Sequence, residues 1–188
     1  MSVPDGVTLR QCDRSQAAVL LNPICLLYDT VFSQPPFRWT EDESQHHRQS
    51  LNRLITNPTF ALVTAEASGE LVGFAYGVAL KPDTQWWSGT TEPLPDELTA
   101  EWNGRTFAII DLAVRADHRK RGIGRALLDA LLASRQERRA TLTVQPVATD
   151  TKEFYAYLGW QWVGTTKAPA GAVAPFFDLY LLPLHAKP

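Results

Sequence analysis

The chain has 188 residues, of which 45% are apolar and 20% charged, and its net charge at pH 7 is −2. This length fits a single domain spanning residues 1–188, the composition excludes a disordered or fibrous chain, and the charge gives no reason to expect a nucleic-acid partner. Two cysteines without metal-ligand spacing, and no run near the ~20 apolar residues of a membrane span, predict a cytoplasmic protein without a metal or a membrane partner.

The chain begins with a predicted strand followed by a long helix. Residues Val7 to Gln11 alternate between apolar and polar, which is typical of a strand. Apolar residues then recur at helical spacing from about residue 16 to 32, and Asp13 or Ser15 can cap this helix. Because proline inside a helix removes a hydrogen bond, Pro23 predicts a kink or two shorter helices.

A second helix is predicted from about residue 41 to 56. Thr40 and Glu43 form a T-x-x-E capping box at its start. His46 and His47 are adjacent in the helix and point in directions about 100° apart, so they lack the spacing of a metal-binding pair. We interpret both histidines as solvent-exposed.

Two strands and a long insertion follow. Residues 60–65 and 71–80 read as strands joined by a hairpin at Ser68-Gly69-Glu70, and the two glycines of the second strand suggest a bulge or a close backbone approach. Residues 81–105 form a connection much longer than the usual hairpin loop of about two to five residues. Pro95 can start a short helix within it.

The insertion at 81–105 is rich in tryptophan, proline and acidic residues, and it admits two interpretations. It can form a lid over a substrate pocket, where its acidic residues would favour a cationic amine. Alternatively, its tryptophans fix the loop to the domain or to a second subunit.

A strand, a basic loop and a helix follow the insertion. The strand is a nearly continuous apolar run interrupted only by Asp111. The loop has the pattern R-x-x-G-x-G at Arg119, Gly122 and Gly124, and a helix that starts there presents unpaired N–H groups to an anion, so a pyrophosphate is the expected ligand. No Gly-Lys-Ser or Gly-Lys-Thr occurs, and Leu127 stands where a dinucleotide fingerprint needs its third glycine, which excludes both of those motifs.

The last part of the chain predicts a strand at 141–145, a helix at 151–158 and two closing strands, the last at 176–182. The helix ends in the sequence F-Y-A-Y-L-G-W, and Gly159 is placed to adopt the left-handed conformation after the last helical turn.

The R-x-x-G-x-G loop and the F-Y-x-x-x-G-W helix end, in this order, resemble the GCN5-related N-acetyltransferase superfamily. The resemblance is specific over residues 105–166. It implies an α+β fold with a mixed, mostly antiparallel twisted sheet flanked by helices in three α/β/α layers, and a single N-acetyltransferase domain with the tryptophan-rich loop inserted. It also implies acetyl-CoA as the co-substrate, without a metal.

The resemblance assigns the acetyl-CoA site position by position. The backbone of the strand end would pair with the pantetheine amides, and the N–H groups of the loop would hold the pyrophosphate. The implied residues are Leu112, Ala113, Val114, Arg119, Lys120, Arg121, Gly122, Ile123, Gly124 and Arg125.

Two side chains are the candidate catalytic groups. Tyr155 matches the family's general acid, which protonates the CoA sulfur; the alternative is a buried structural tyrosine, and Tyr157 is a weaker candidate acid. Asp111 is the candidate base, because burial disfavours the charged form of a carboxylate and so favours proton uptake, directly or through a water. A structural carboxylate at Asp111, Glu101 as the base, or a reaction without a protein base are the alternatives.

The predicted activity is transfer of an acetyl group from acetyl-CoA to a primary amine by direct attack in a ternary complex. The acceptor is an unidentified small molecule or peptide, and the protein is a monomer or a homodimer. The alternative function is a catalytically silent domain that binds and senses acyl-CoA.

Overall fold

The computed structural model describes residues 3–37, 39–168, 172 and 174–184. These residues form seven strands, five α-helices and a short 3₁₀ turn at Ala116–His118. The strands are β1 Val7–Cys12, β2 Ala61–Ala67, β3 Glu70–Ala79, β4 Thr106–Val114, β5 Arg139–Val144, β6 Gln161–Lys167 and β7 Phe176–Pro183. The helices are α1 Arg14–Phe32, α2 Glu41–Ile55, α3 Asp96–Thr99, α4 Ile123–Leu132 and α5 Thr149–Tyr157.

The seven strands form one mixed sheet in the order β1-β2-β3-β4-β5-β7-β6. The β1–β2, β2–β3, β5–β7 and β6–β7 pairs are antiparallel, whereas β4 and β5 are parallel. This confirms the predicted α+β fold with a mixed, mostly antiparallel sheet and flanking helices. The parallel ladder pairs Thr106–Ala108 with Arg139–Thr141, and the remaining residues of β4 continue beyond its last pair.

The chain divides into two compact units, each with its own buried residues. Ile24, Leu51 and Phe74 are fully buried in the first unit, and Leu142 and Leu179 are buried in the second. The first unit consists of Met1–Pro35, Trp39–Val78 and Ile109–Arg135, and the second of Pro36–Arg38, Ala79–Ala108 and Gln136–Pro188.

Helix α1 is one continuous helix, so the alternative of two shorter helices is wrong, whereas the kink at Pro23 stays a prediction. Asp13 caps it as predicted, and its carboxylate accepts from the Gln16 backbone while the Gln16 side chain accepts from the Asp13 N–H. Pro23 lies inside the helix on an exposed face. The carbonyl of Val19, which proline deprives of its helical hydrogen bond, also belongs to an exposed residue, so water can hydrate it and the helix continues.

Helix α2 begins as predicted, because the Thr40 hydroxyl accepts from the Glu43 N–H. Its buried residues are His47, Leu51 and Ile55, which lie four residues apart on one side of the helix. His47 is only 7% exposed. The interpretation of His47 as a solvent-exposed residue is therefore wrong, because this position continues the apolar stripe of the helix.

The insertion at 81–105 is attached to strands of its own unit, and it contains the predicted short helix, α3. The Trp86 indole N–H donates to the Thr141 hydroxyl of β5 over 3.1 Å. The backbone N–H of Thr91 donates to the Thr165 carbonyl of β6 over 2.8 Å. These contacts support the interpretation in which the tryptophans fix the loop to the domain; a role in an acceptor pocket stays a prediction.

Glu101 is the main side-chain anchor of the insertion. Its side chain is 1% exposed, and Oε1 lies 2.8 Å from Nη2 of Arg139. The same oxygen accepts hydrogen bonds from the Trp87 indole (2.9 Å) and the Thr106 hydroxyl (2.8 Å). These contacts give Glu101, which was the alternative base, a structural role in the second unit.

Replacing Glu101 by alanine is expected to destabilise the protein strongly. The Arg139 guanidinium would stay buried without its counter-charge, which costs about 3 kcal/mol of unfolding free energy. Urea denaturation followed by tryptophan fluorescence measures the loss. Glu92→Ala, at an exposed position of the same insertion, is the matched control and should change stability by less than about 0.5 kcal/mol. Equal denaturation midpoints for the two variants would contradict the anchoring role.

Candidate active site

A cavity of about 160 Å³ lies in the first unit between helices α1 and α2 and strands β3 and β4. Helix α2 contributes Glu43, His46, His47 and Ser50 to its wall, and the other elements contribute Tyr28, Tyr76 and Asp111. The four α2 residues have the spacing i, i+3, i+4 and i+7, so they form one side of the helix. The wall combines two carboxylates, two histidines and two phenols, and none of its described residues is a lysine or an arginine.

Asp111 is held in the cavity wall by Tyr76. The Tyr76 hydroxyl donates a short hydrogen bond to Oδ2 of Asp111. Nε2 of His47 lies 3.1 Å from the Tyr76 hydroxyl oxygen and 3.5 Å from Oδ2 of Asp111. The predicted base is therefore part of a connected polar chain that crosses from β4 to β3 and α2.

The tyrosine hydroxyl fixes the direction of this chain. Burial, followed by the nearby Asp111 charge, raises the pKa of Tyr76 well above its ordinary value. Because the Tyr76 proton points to Asp111, the proton between Tyr76 and His47 must come from the histidine, as Nε2–H. Nδ1, the other ring nitrogen of His47, is buried without a hydrogen-bond partner among the described residues.

Tyr28 covers the imidazole of His47. The two rings are stacked with centroids 3.6 Å apart and an angle of 7° between their planes. Burial, and to a smaller extent the Asp111 charge, raises the pKa of the Tyr28 phenol, so it is neutral at physiological pH. Tyr28 thus fixes the plane of the imidazole without adding charge to the cavity.

The basic loop between β4 and α4 has the backbone geometry of an anion site. Lys120 and Gly122 adopt left-handed conformations, with φ values of 60° and 85°. The first helical hydrogen bond joins the Ala126 N–H to the Gly122 carbonyl over 3.0 Å. The N–H groups of Ile123, Gly124 and Arg125 precede this bond, and no described residue accepts from them.

The side chains of this loop are not equivalent. Nε of Arg119 donates to the Val114 carbonyl over 3.0 Å, so this arginine fastens the loop to the end of β4. Lys120, Arg121 and Arg125 are exposed, and the last lies 3.6 Å from Asp129 one turn further along α4. The Arg119 guanidinium is therefore fixed at the end of β4, whereas Lys120 and Arg121 are exposed in the loop before α4.

The predicted pantetheine residues Leu112, Ala113 and Val114 lie at the end of β4, beyond the parallel ladder with β5. Gly73 of β3 faces this stretch. A Cβ atom on Gly73 would lie 3.1 Å from the Ala113 carbonyl oxygen and 3.1 Å from Cδ1 of Leu127. The predicted close backbone approach is thus present, and the register between β2 and β3 also shifts between Ala65 and Glu66, which leaves Val72 of β3 as the extra residue of a bulge.

Tyr155 lies in the second unit, near the end of α5. Its side chain is 5% exposed and its ring neighbours those of Phe154, Trp160 and Tyr180. Tyr157, the weaker candidate, is 78% exposed. The structure therefore distinguishes a buried and an exposed tyrosine in this helix, and the general-acid role of Tyr155 stays a prediction.

The end of α5 explains the sequence F-Y-x-x-x-G-W. The Trp160 N–H donates to the Tyr155 carbonyl and the Gly159 N–H donates to the Ala156 carbonyl, both over 3.0 Å, which is a Schellman motif. Gly159 has φ = 86°, as predicted for the residue after the helix. This motif fixes the backbone of Tyr155.

The structure places Asp111, the predicted pantetheine residues and the basic loop in the first unit, along β4 and the start of α4. Sequence analysis missed His47 and Tyr76, the partners of Asp111. The buried position of His47 was detectable from its spacing to Leu51 and Ile55. Among the described residues, no three His, Cys, Asp or Glu side chains are grouped to hold a metal ion. No described helix has the length and apolar character needed to cross a membrane.

Comparison with protein-family models gives a match to the acetyltransferase (GNAT) family over residues 25–160. This range covers more than half of the chain and includes all the predicted acetyl-CoA-binding positions as well as Asp111 and Tyr155. A search of the curated proteins finds no match.

Solved structures with the same fold include two aminoglycoside acetyltransferases. The aminoglycoside 6'-acetyltransferase type Ii has a TM-score of 0.67 and 19% identity, covering 96% of this chain and 99% of its own. An aminoglycoside 6'-N-acetyltransferase complexed with coenzyme A has a TM-score of 0.64, 18% identity and coverages of 96% and 99%. The ribosomal-protein-S18-alanine N-acetyltransferase from Escherichia coli has a TM-score of 0.65, 14% identity and coverages of 97% and 96%. At these identities the likeness shows a shared fold.

The left-handed residue that ends α5 gives a testable prediction. Gly159→Ala is expected to lower the unfolding free energy by about 1 kcal/mol, because a Cβ atom is disfavoured at positive φ. The added Cβ would meet only Leu182 at 3.9 Å, so crowding is not the cause. Gly159→Asn should lose less, because asparagine tolerates this conformation. Urea denaturation of the wild-type protein and the two variants measures their order of stability. An asparagine variant less stable than the alanine variant would refute the conformational explanation.

Proposed function

Because the chain belongs to the acetyltransferase (GNAT) family, we propose that it is an N-acetyltransferase that moves the acetyl group of acetyl-CoA to a primary amine. Membership of this family confirms the resemblance inferred from the two sequence motifs. The observation that carries the proposal is the strand, loop and helix from Asp111 to Arg125, where a carboxylate in a cavity wall and a set of unpaired N–H groups lie on one continuous segment.

The proposed acetyl-CoA site binds its ligand through backbone groups, to which side-chain charges add. The N–H groups of Ile123, Gly124 and Arg125 and the dipole of α4 suit a pyrophosphate, and the charges of Lys120 and Arg121 add to their attraction. The backbone of Leu112–Val114 would pair with the pantetheine arm as a neighbouring strand would. When bound, acetyl-CoA supplies an acyl group activated as a thioester.

The proposed reaction needs two proton transfers. A cationic acceptor first gives up its extra proton to solvent; the neutral amine nitrogen then bonds to the carbonyl carbon, the carbon–sulfur bond breaks, the nitrogen loses a proton and the sulfur gains one. Asp111 is the group that would take the proton from nitrogen, directly or through a water. Tyr155 is the group that would give a proton to the sulfur.

The proposed acceptor is a cationic amine, either a small molecule or a peptide. Asp111 and Glu43 line the cavity, and no lysine or arginine of the described part of the chain does. The volume of about 160 Å³ is close to that of an engineered cavity of about 150 Å³ that holds benzene, so it suits the amine-bearing part of an acceptor. The similar structures carry names that point to aminoglycosides and to an alanine of a ribosomal protein.

The first test combines binding and turnover. Calorimetric titration with acetyl-CoA, beside ATP and NAD as controls, is followed by a free-thiol assay against a panel of amines. Selective acetyl-CoA binding with thiol release supports the proposed enzyme. Binding without release for any amine supports the silent sensor instead, and the absence of binding overturns both functions.

The basic loop predicts a charge-dependent affinity. The double variant Arg121→Ala, Arg125→Ala should bind acetyl-CoA about tenfold more weakly, because two phosphate-directed charges are lost. Arg10→Ala, which removes an exposed arginine of β1, is the control and should leave the affinity unchanged. Calorimetry at two salt concentrations measures the acetyl-CoA affinity of the double variant and of the control. An affinity of the double variant equal to that of the control would remove the loop from the binding site.

Tyr155 gives a separate kinetic prediction. Tyr155→Phe should lower kcat by at least about tenfold while the KM for acetyl-CoA changes little, because only the proton donor is lost. Tyr157→Phe, at the exposed position of the same helix, should retain full activity. If kcat of Tyr155→Phe stays within about threefold of wild type, Tyr155 is a structural tyrosine.

A further inference from the structure

We propose that His47 is a positioning residue, which acts through the Tyr76 hydroxyl to orient the Asp111 carboxylate and to hold it ready for the acceptor amine. This inference rests on the proposed function, because it concerns the proton-accepting group of that reaction. It adds two residues that neither the motifs nor the family comparison assigns.

The contacts form a chain in which every proton points the same way. His47 donates from Nε2 to the Tyr76 oxygen over 3.1 Å, and Tyr76 donates to Oδ2 of Asp111. A hydroxyl that receives a hydrogen bond becomes a better donor, so the imidazole strengthens the bond from Tyr76 to the carboxylate. His47 therefore influences Asp111 mainly through the tyrosine.

The chain uses only one carboxylate oxygen. Among the described residues, hydrogen bonds and the histidine contact reach Oδ2 of Asp111, and none reaches Oδ1. The carboxylate is held on one side by Tyr76, while its side chain keeps 19% of its surface exposed at the cavity. Oδ1 is thus the oxygen that the structure leaves for an amine proton.

Stability alone does not account for a histidine at this position. The side chain is 5% exposed, and its Nδ1 has no hydrogen-bond partner among the described residues. A buried polar atom without a partner costs free energy, which a leucine in line with Leu51 and Ile55 would avoid. The stacked Tyr28 ring provides apolar contact that any planar side chain could use. The property unique to His47 here is the donor that it presents to Tyr76.

The other titratable groups near Asp111 do not join this hydrogen-bond chain. Burial raises the pKa of the Cys25 thiol and of the Tyr28 and Tyr76 phenols, so these three neighbours are uncharged at neutral pH. Among the described residues, Glu43 and His46 of α2 are the other titratable groups that line the cavity. Neither of them forms a hydrogen bond or ion pair with Asp111, His47 or Tyr76 through its side chain.

The kinetic test compares three single variants and one double variant with the fastest amine of the panel. His47→Phe keeps a planar ring against Tyr28 but removes the donor, so kcat should fall about tenfold with an unchanged KM for acetyl-CoA. His47→Gln, whose amide N–H can reach a similar place, should recover most of that loss. Tyr76→Phe should lose at least as much as His47→Phe, and the double variant should lose no more than Tyr76→Phe alone.

These outcomes separate positioning from packing. A purely structural His47 predicts that the phenylalanine variant keeps kcat, or that phenylalanine and glutamine variants lose it equally; either result overturns the proposal. If the loss of kcat in the double variant equals the product of the two single-variant losses, His47 does not act through Tyr76. Acetyl-CoA titration and thermal unfolding of each variant establish that it is folded.

A measurement without turnover tests the same chain independently of the proposed function. The ¹⁵N shifts of the His47 imidazole should show the Nε2–H tautomer in the wild-type protein, and Tyr76→Phe should change them. An Nδ1–H tautomer overturns the positioning role whatever the acceptor is. If no amine supports thiol release while the tautomer is as expected, the proposed function fails and the hydrogen-bond chain stands.

Discussion

The hydrogen bond from Tyr76 to Asp111 is the interaction on which the arrangement of the cavity depends. Asp111 interrupts an apolar strand, and Tyr76 is 1% exposed in the neighbouring strand, so each would carry an unsatisfied polar group without the other. Their pairing allows a carboxylate to remain in the wall of a largely apolar unit. It also sets the place of His47, whose imidazole fills the space between the tyrosine hydroxyl and the ring of Tyr28.

Strand β4 combines two opposite electrostatic environments within a few residues. Asp111 presents negative charge at the cavity, whereas the strand ends at Val114, whose carbonyl holds Arg119 and the loop before α4. That loop leads to N–H groups that suit an anion. A single strand and the loop that follows it thus carry both a group suited to a cation and a group suited to a phosphate.

The sequence predicted a structural feature correctly where that feature depends on a few neighbouring residues. Gly159 and the cap at Asp13 were predicted because glycine at positive φ and a carboxylate before a helix act within a few residues. The continuation of α1 through Pro23 was not predicted, because it depends on which side of the helix faces solvent, a tertiary property. His47 was misjudged although its spacing to Leu51 and Ile55 already indicated the apolar side of α2. Tyr76 gave no signal at all, since an aromatic residue in an apolar strand usually only packs, and its partner lies far away in the chain. The motifs predicted acetyl-CoA-binding positions, but they could not show that the Arg119 side chain donates to the Val114 carbonyl.

The distribution of cysteine and tryptophan gives the two units separate intrinsic probes. Cys12 and Cys25 are buried free thiols, and both belong to the first unit. Of the six tryptophans, Trp39 lies in the first unit and the other five, at positions 86, 87, 102, 160 and 162, lie in the second. Because a buried thiol reacts only after local opening, the rate of thiol labelling reports on the first unit, while the indole emission reports mainly on the second. The wild-type chain can therefore show, without any introduced residue, whether its two units unfold together.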